Sequence, residues 1–255
     1  MQAVGDVSLF FFAIVPRVFQ RPARGTLLRC GYQIGALSLP VVALTGTFIG
    51  MVLAVQSYAQ FATLGLESRL GAVINGSLVR ELGPVLAATM LAGRVGGSMA
   101  AVLGTMRVTE QVEALEVMGA DPIHHLVVPR FLACLLLIPS LTLMADFMGI
   151  AGGYLYSVAV LGIDHAAYLM HARNGVTGLD LAGGLMKSLC FGGIIAVVAC
   201  HRGLNCRPGA EGVGRAATTA FVHSFVLILL CDLVISIAMD HLWWAMYPDG
   251  AGALL

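Results

Sequence analysis

Five long runs of apolar residues divide the chain, and polar or charged segments separate them. The runs cover residues 32–55, 82–103, 131–161, 181–200 and 216–239. Each run has about 20 residues or more, the length that an α-helix needs to cross a hydrocarbon core of about 30 Å. The pattern therefore predicts an all-α integral membrane protein with five membrane-spanning helices.

A shorter apolar stretch near the amino terminus is followed by Arg17, Arg21 and Arg24. It is too short to span a membrane, and aromatic residues beside arginines are typical of a helix that lies in the membrane interface. We expect such an interfacial helix over residues 7–24, within an amino-terminal segment 1–30. A poorly ordered tail is the alternative.

Proline and glycine modify the predicted spans. Pro40 is expected to kink the first span, and Pro139 to break the third. Small residues recur every four positions as Gly93, Gly97 and Ala101, beside a second stripe that starts at Gly96. Gly46 with Gly50, and Gly149 with Gly153, repeat this spacing. Such stripes let membrane helices approach closely, so they predict a compact bundle.

The composition agrees with a membrane protein and argues against a soluble domain, a nucleic-acid-binding protein and a metalloprotein. Hydrophobic residues make up 58% of the chain and charged residues only 11%, against about 25% charged in a soluble domain. The net charge is zero, so nothing indicates a nucleic-acid partner. Cys200, His201 and Cys206 lie close together but lack a second ligand pair, so we predict neither a metal site nor a cofactor.

Basic residues are distributed unevenly between the two sides of the predicted bundle. If the amino terminus is cytoplasmic, nine arginines fall on the inside and four basic residues on the outside, while Arg94 lies within a span. The inside residues are Arg17, Arg21, Arg24, Arg29, Arg107, Arg130, Arg202, Arg207 and Arg215, and the outside ones are Arg69, Arg80, Arg173 and Lys187. The positive-inside rule therefore predicts a cytoplasmic amino terminus.

Ionisable residues interrupt the apolar runs at five positions. They are Arg94, Asp146, Lys187, His223 and Asp232. Such residues are costly in lipid and usually face a bundle interior or a cavity. Pairing within the membrane, for example of Arg94 with Asp146 or Asp232, is the simplest explanation, and a proton relay is the alternative.

The segment over residues 107–122, between the second and third predicted spans, is rich in both acidic and apolar side chains. Thr109 is a plausible N-cap for a short helix, Gly119 can end it, and Asp121-Pro122 turns the chain. A solvated connector rarely keeps Val117 and Met118 at its exposed tip, so a docking helix is favoured. Near the other end of the second span, Arg80-Glu81 fits either a lipid head-group contact or a snorkelling anchor.

Motifs for enzymatic chemistry are missing from the sequence. No GxxxxGK[ST] phosphate-binding loop, no HExxH helix and no GxSxG elbow occurs. We therefore predict that the chain is not an enzyme and does not bind ATP itself.

Several segments together resemble the MlaE-type permeases of ABC lipid transporters that work with MCE proteins. They are GTFIGMVLAVQ at 46–56, RELGP at 80–84, LAGRVG at 91–96, LGTMRVTEQ at 103–111, EALEVMGADP at 113–122, VPR at 128–130, GAEGVGRAATT at 209–219 and Asp232. These segments follow the family's order over about residues 30–240. Any one of them alone would be weakly specific, but the set is highly specific.

The resemblance implies the architecture and the partners of the chain. It implies a homodimeric permease in the bacterial inner membrane, with an amino-terminal interfacial helix, a five-span domain over residues 31–245 and a short periplasmic tail over 246–255. It further implies cytoplasmic ABC ATPase subunits, a periplasmic MCE-domain protein and a phospholipid or related lipid as substrate. The segment over about 108–122 would be the coupling helix that contacts the ATPase.

The resemblance also implies site residues. The lipid cavity would include Leu53, Gln56, Phe61, Leu64, Arg80 and Glu81. The contact with the ATPase would involve Glu110, Glu113, Leu115, Glu116, Met118, Gly119, Asp121 and Pro122. Many relatives carry a glutamate at the position that Val102 occupies here.

Two other classes of function are weighed against this reading. A self-contained proton-coupled secondary transporter or channel would use Asp146 and Asp232, but no inverted repeat is evident in the sequence. An intramembrane enzyme would use His223 and Asp232, which are nine residues apart and so cannot touch on one helix.

Overall fold

The computed structural model describes residues 2–18 and 24–246, and this part of the chain is helical with short connections. Five helical segments in it are long and apolar enough to cross a membrane, namely Thr26–Ala62, Leu70–Val108, Ile123–Ala159, Gly178–Leu204 and Ala210–His241. The predicted all-α architecture with five spans is confirmed. Arg21 and the predicted tail beyond residue 246 lie outside the described residues.

The amino-terminal helix α1 (Gln2–Val18) precedes the first span and packs along one face only. Ile14 is fully buried, and Val7 and Phe10 contact the main apolar core. Leu9 and Phe12, on the other face, are about 70% exposed. A helix of 17 residues with an exposed apolar face is typical of the membrane interface, so an amino-terminal helix is present as predicted.

The first span begins with α2 (Arg24–Gly31), continues through a π-helical turn over Tyr32–Ala36 and ends with α3 (Leu39–Ala62). Pro40 lies in the first turn of α3, where the missing N–H removes no helical hydrogen bond. The irregular turn lies directly before Pro40 and includes Ala36, whose carbonyl group the proline ring would meet, so the regular helix is interrupted next to the predicted kink.

The second span is built from three α-helical pieces, α4 (Leu70–Ser77), α5 (Gly83–Leu91) and α6 (Gly97–Val108). Two π-helical turns, Leu78–Leu82 and Ala92–Gly96, join them. A π-helical turn inserts an extra residue and rotates the following face, and such turns are frequent at functional sites. The first of them contains Arg80 and Glu81, and the second contains Arg94.

After the short helix α7 (Gln111–Val117), the third span runs through the π-helical turn Ile123–Val127 into α8 (Val128–Ala159). The predicted break at Pro139 is wrong, because α8 continues through this residue without interruption. The proline removes only one backbone donor, and it is buried among neighbouring helices that hold α8 together.

The last three helices are α9 (His165–Asn174), α10 (Gly178–Leu204) and α11 (Ala210–Met246). The Asp164 side chain caps α9, and Thr177 with Asp180 forms a capping box at the start of α10. Because successive spans alternate in direction, α9 and residues 63–69 lie at one end of the bundle, which we call the distal end. The start of the first span and α7 lie at the other, the amino-terminal end.

The first and third spans cross at glycines. A Cβ atom on Gly50 would collide with the backbone of Gly149, and one on Gly46 would lie 2.5 Å from the Ala145 carbonyl oxygen. In the second span, Gly96 faces Ile195 of α10, whereas Gly93 faces Phe221 of α11. The small residues therefore serve close helix packing, as predicted, and the two stripes of the second span contact different helices. The third and fourth spans are the most buried of the five.

Candidate functional site

A polar cluster lies toward the distal end of the bundle, centred on Lys187 of α10. The ammonium nitrogen of Lys187 lies 2.7 Å from Glu81 Oε2 and 3.1 Å from Asp232 Oδ1. It also donates hydrogen bonds to the Ser236 hydroxyl at 2.8 Å and to the Arg80 carbonyl oxygen at 3.3 Å. Lys187 is only 2% exposed, so its charge is compensated by groups from two other helices.

The backbone explains how three spans contribute to this cluster. Glu81 is placed by the π-helical turn Leu78–Leu82, whereas Asp232 and Ser236 are four residues apart on one face of α11. Ser236 also donates to both Glu81 carboxylate oxygens, at 3.2 and 3.3 Å. Two carboxylates facing one ammonium leave the cluster with a formal charge of −1, and the Glu81 side chain is half-exposed.

Arg80 extends the polar cluster toward the distal end. Its guanidinium contacts the Asp180 carboxylate, with Nε 2.9 Å from Oδ1 and Nη2 3.1 Å from Oδ2. Asp180 also accepts hydrogen bonds from the backbone N–H and hydroxyl of Thr177, both at 2.8 Å. The start of α10 is thus fixed to the second span by a paired arginine that remains half-exposed.

The six predicted cavity residues lie in three different surroundings. Arg80 and Glu81 lie in the polar cluster, while Leu53 and Phe61 pack against a small distal core around Tyr168. The remaining two, Gln56 and Leu64, are exposed. The structure therefore places Arg80 and Glu81 in the polar cluster and Leu53 and Phe61 at a separate apolar core, rather than gathering the six predicted residues into one site.

A cavity of about 360 Å³ lies one to two helical turns from the polar cluster, toward the bundle centre. Its walls are apolar and come from the first, second, third and fifth spans, with Ile49, Leu78, Met90 and Phe225 among them. None of the six predicted residues lines it. A volume of this size is within the usual range for small-molecule pockets, and the apolar wall suits a hydrocarbon chain.

Asp146 of α8 stands behind the wall of this cavity. It is 95% buried by the packing of α8 against α5, and its Oδ1 atom lies against Gly83 without a hydrogen-bond partner among the described residues. Only a glycine leaves room for the carboxyl group, because a Cβ atom at residue 83 would overlap Oδ1.

The suggested pairing of Arg94 with Asp146 or Asp232 is wrong. Arg94 donates to the Leu37 carbonyl oxygen, and Asp232 faces Lys187 instead. His223 binds the Thr219 carbonyl oxygen at 2.6 Å and lies 3.4 Å from Arg202. Sequence reasoning missed Glu81 and Asp232 as the two partners of Lys187, and the available signal was the isolated charges of Lys187 and Asp232 within apolar runs.

At the amino-terminal end, α7 presents a short exposed surface. Its last turn closes through hydrogen bonds from Gly119 N–H to the Glu116 carbonyl and from Ala120 N–H to the Leu115 carbonyl. Gly119 has a φ of 75°, the left-handed conformation that this ending requires. Gly119 therefore ends the helix as predicted.

The predicted N-cap at Thr109 is wrong. Glu110 occupies the position before α7 with a φ of 58°, and its side chain forms no capping hydrogen bond. The Thr109 hydroxyl instead donates back to the Thr105 carbonyl oxygen at 2.9 Å, because Thr109 terminates α6.

The two faces of α7 differ in their surroundings. Val112 is buried and Leu115 packs against the core, whereas Val117 and Met118 are 89% and 73% exposed. Glu113 forms an ion pair of 2.7 Å with Arg107, and Glu110 and Glu116 are exposed. The result is a helix packed on its inner face, with apolar and acidic side chains exposed at its tip.

An ion pair connects α1 to the segment that follows α7. Arg17 Nε lies 2.5 Å from Asp121 Oδ2, and Asp121 Oδ1 accepts the Ile123 N–H at 3.0 Å. Partial burial alone would raise the pKa of Asp121, but the hydrogen bonds and the charge of Arg17 hold this pKa below its ordinary value. Asp121 thus fixes the α7 segment to the amino-terminal helix, while Pro122 begins the turn into α8.

The charged groups of the polar cluster and the apolar walls of the cavity can together bind an amphipathic ligand. In residues 2–18 and 24–246 no three His, Cys, Asp or Glu side chains gather as they would around a metal ion. A polar cluster and an apolar cavity within a helical bundle, with an exposed apolar tip at the opposite end, are features typical of a multi-pass membrane transport protein.

Comparison with known proteins agrees with this class. The family model described as Permease MlaE matches residues 27–238. A probable ABC transporter permease protein of Rickettsia felis is 46% identical over 236 residues, covering 92% of this chain and 91% of that protein. The intermembrane phospholipid transport system permease protein MlaE of Haemophilus influenzae is 33% identical, covering 93% and 92% of the two chains.

A plant protein is also similar. The chloroplastic protein TRIGALACTOSYLDIACYLGLYCEROL 1 of Arabidopsis thaliana is 42% identical over 204 residues, which cover 80% of this chain and 58% of that protein. The chain described here belongs to the MlaE permease family, and several of its relatives, the Rickettsia felis protein among them, are named as probable ABC transporter permease proteins.

Proposed function

We propose that the chain is the transmembrane subunit of an ABC transporter that moves phospholipid or a related lipid between the bacterial inner membrane and a periplasmic MCE-domain protein. The observation that carries this proposal is the exposed tip of α7, with Val117 and Met118 outward on a helix whose other face is buried. Exposed apolar side chains of this kind indicate a protein contact.

ATP hydrolysis would come from separate ATPase subunits that receive this tip. Glu116 and the neighbouring apolar side chains would contact the ATPase, and Glu113 would hold α7 to α6 through Arg107. Because α6 belongs to the span that carries Glu81, a movement of α7 can be transmitted along one helical segment to the polar cluster. Binding and hydrolysis of ATP would thereby shift the population between cavity states.

The lipid would bind near the polar cluster and the adjacent apolar cavity. Arg80 and Glu81 remain half-exposed and offer charged groups to a head group, while the apolar walls around Ile49 and Phe225 accommodate an acyl chain. The predicted residues Leu53, Gln56, Phe61 and Leu64 would contribute the outer rim. The phospholipid transport named for the Haemophilus influenzae relative supports this substrate class.

The proposal includes a homodimer with cytoplasmic amino termini. The first and fifth spans are the least buried, and a second copy packed against them would cover part of their apolar surface. The distribution of arginines supports the orientation, because the amino-terminal end of the bundle carries most of them. The α7 tip would then face the cytoplasm, where ATP is available.

Substitutions at the α7 tip test the coupling role. Glu116→Lys and Val117→Asp change exposed side chains, so they should leave the fold intact while abolishing contact with the ATPase. We expect each variant complex to lose at least about tenfold in ATP-dependent lipid transfer, as for truncation of an interface hot spot. Lipid transfer is measured between vesicles that contain the reconstituted complex and acceptor MCE protein.

Glu67→Lys supplies the matched control, since it makes the same charge change on an exposed residue at the distal end. It should transfer lipid at the wild-type rate. Wild-type transfer by both α7 variants would remove the coupling role from this helix.

A further inference from the structure

A groove opens between the first, second and third spans at the amino-terminal end of the bundle. It consists of two overlapping cavities of about 340 and 480 Å³, and both are lined by Cys30, Gln33, Val102 and Arg130. The deeper cavity reaches Arg94, and the outer one reaches Arg29. The groove is separate from the apolar cavity next to the polar cluster, with which it shares no lining residue.

The charge in this groove is entirely positive. Arg29, Arg94 and Arg130 line it, and its walls contain neither aspartate nor glutamate. Among residues 2–18 and 24–246, no carboxylate lies within ion-pair distance of any of these three arginines. Three positive charges beside a membrane interior are costly unless an anion accompanies them.

The arginines retain donors that the chain does not use. Arg94 donates to the Leu37 carbonyl oxygen, and Arg130 donates to the Leu126 carbonyl oxygen at 2.6 Å. A guanidinium has five N–H donors, so most of them are free to bind a ligand. The planar guanidinium matches the oxygens of a phosphate group and binds them in pairs.

The position of the groove indicates where the anion would come from. Arg29 lies close to the beginning of the first span, whereas Arg94 precedes the end of the second span by 14 residues, about 20 Å along a helix. The groove thus extends from head-group depth into the acyl region. Its walls also include Ile34, Leu37 and Met106, which suit the glycerol and upper acyl carbons of a lipid.

We propose that this groove binds an anionic phospholipid of the adjacent leaflet, with its phosphate between Arg29 and Arg130 and its acyl chains leaving along the apolar wall. Val102 is central to this assignment because it belongs to both cavities and is 45% exposed. Its side chain is uncharged, so it leaves the positive charge of the groove uncompensated.

The site is independent of the transported substrate and of the ATPase, and only its assignment to the cytoplasmic leaflet rests on the orientation proposed above. The test therefore needs neither ATP nor transport. A failure of lipid binding at this groove would leave the coupling experiment unaffected, and a failure of coupling would leave this equilibrium measurement unaffected.

The experiment measures binding of short-chain phosphatidylglycerol and phosphatidylcholine to the purified full chain in detergent. We expect phosphatidylglycerol to bind more tightly to the wild-type protein. Arg29→Gln, Arg130→Gln and Val102→Glu should each weaken phosphatidylglycerol binding about tenfold or more, as expected for loss of a charge-assisted hydrogen bond or introduction of a competing carboxylate. Val160→Glu is the matched control, because it introduces the same carboxylate at an exposed valine of the distal end, outside the groove, and it should bind as the wild type does.

Three results would overturn the proposal. The first is equal binding of phosphatidylglycerol by Val102→Glu, Arg29→Gln and the wild type. The second is binding of inorganic phosphate as tightly as the lipid with the same dependence on the arginines, which would make the groove a site for free anions. The third is that these variants change the oligomeric state of the chain but leave its affinity for phosphatidylglycerol unchanged, which would make the groove a contact between copies. Arg29→Gln lies at an exposed position, so it stays informative if Arg130→Gln fails to fold.

Discussion

Lys187 carries a positive charge at a buried position, and its ammonium group is surrounded by the Glu81 and Asp232 carboxylates and the Ser236 hydroxyl. Removing one partner of a buried ion pair is far more costly than the pair is stabilising, because the remaining charges lose their compensation. The lysine therefore ties the second, fourth and fifth spans together at one point.

Replacement of Lys187 by methionine should destabilise the protein strongly. We expect a loss of about 3 kcal/mol, the lower end of the range for a broken buried ion pair, because Glu81 is half-exposed and stays partly solvated. Thermal unfolding in detergent measures the effect. Arg69→Gln removes the same charge at an exposed distal residue and should unfold near the wild-type temperature, so equal melting of the two variants would contradict the role of Lys187.

The Arg17–Asp121 ion pair should make the docking of α1 depend on pH. The pKa of Asp121 is lowered in the folded protein. The ion pair therefore stabilises the docking of α1 fully above the ordinary carboxyl pKa of about 4, and this stabilisation is lost as the pH falls through the lower pKa of the folded state. We expect amide-exchange protection of α1 to decrease below about pH 4, when expressed relative to intrinsic exchange rates.

The variant Asp121→Asn supplies the control for this pH effect. In this variant α1 should already be weakly protected at neutral pH. Because the variant has no carboxyl group at residue 121, the protection of α1 should not decrease further between pH 7 and pH 3. A wild-type α1 with the same protection at pH 7 and pH 3 would show that the ion pair does not hold this helix.

At the scale of elements, the crossing of the first and third spans depends on the absence of side chains. Gly50→Ala would place a Cβ atom into the backbone of Gly149, and overpacking of this kind typically costs about 1–3 kcal/mol. Thermal unfolding followed by circular dichroism should therefore show a lower midpoint. Gly214→Ala, also within a helix but facing open space, should be neutral or slightly stabilising, and a similar loss in both variants would contradict the close crossing.

The elements differ in how far the sequence determines them. The apolar runs predicted the five spans, because a chain that crosses lipid forms its backbone hydrogen bonds within a helix and exposes apolar side chains. The helices extend beyond the predicted runs, as at residues 70–81, since polar residues continue a helix outside the hydrocarbon. The π-helical turns and the uninterrupted passage through Pro139 depend on packing between helices, which no local pattern contains.

The candidate site shows the same limit. Isolated charges in apolar runs identified Lys187 and Asp232 as unusual, but the contact of Lys187 with both Glu81 and Asp232 depends on the relative rotation of three helices. The π-helical turn Leu78–Leu82, which contains Glu81, changes that rotation, so the pairing could not be read from spacing. The exposed tip of α7 could be predicted, because Gly119 ends the helix and local sequence decides that ending.

For the whole molecule, the amino-terminal end and the side of the bundle differ in how well they are packed. The helix α1 and the α7 segment are joined by an ion pair, while the first and fifth spans leave much of their apolar surface uncovered. This asymmetry suits a subunit that receives force at one end and contacts lipid or a second copy along its side.

The most direct test of the central proposal is a pull-down of the tagged full chain in mild detergent, followed by mass spectrometry of its proteins and lipids. Our account predicts recovery of two copies of the chain with an ABC ATPase, an MCE-domain protein and phospholipid. A folded chain that is recovered without an ATPase, and that by itself carries out ion-dependent transport, would contradict this account and would favour a secondary transporter.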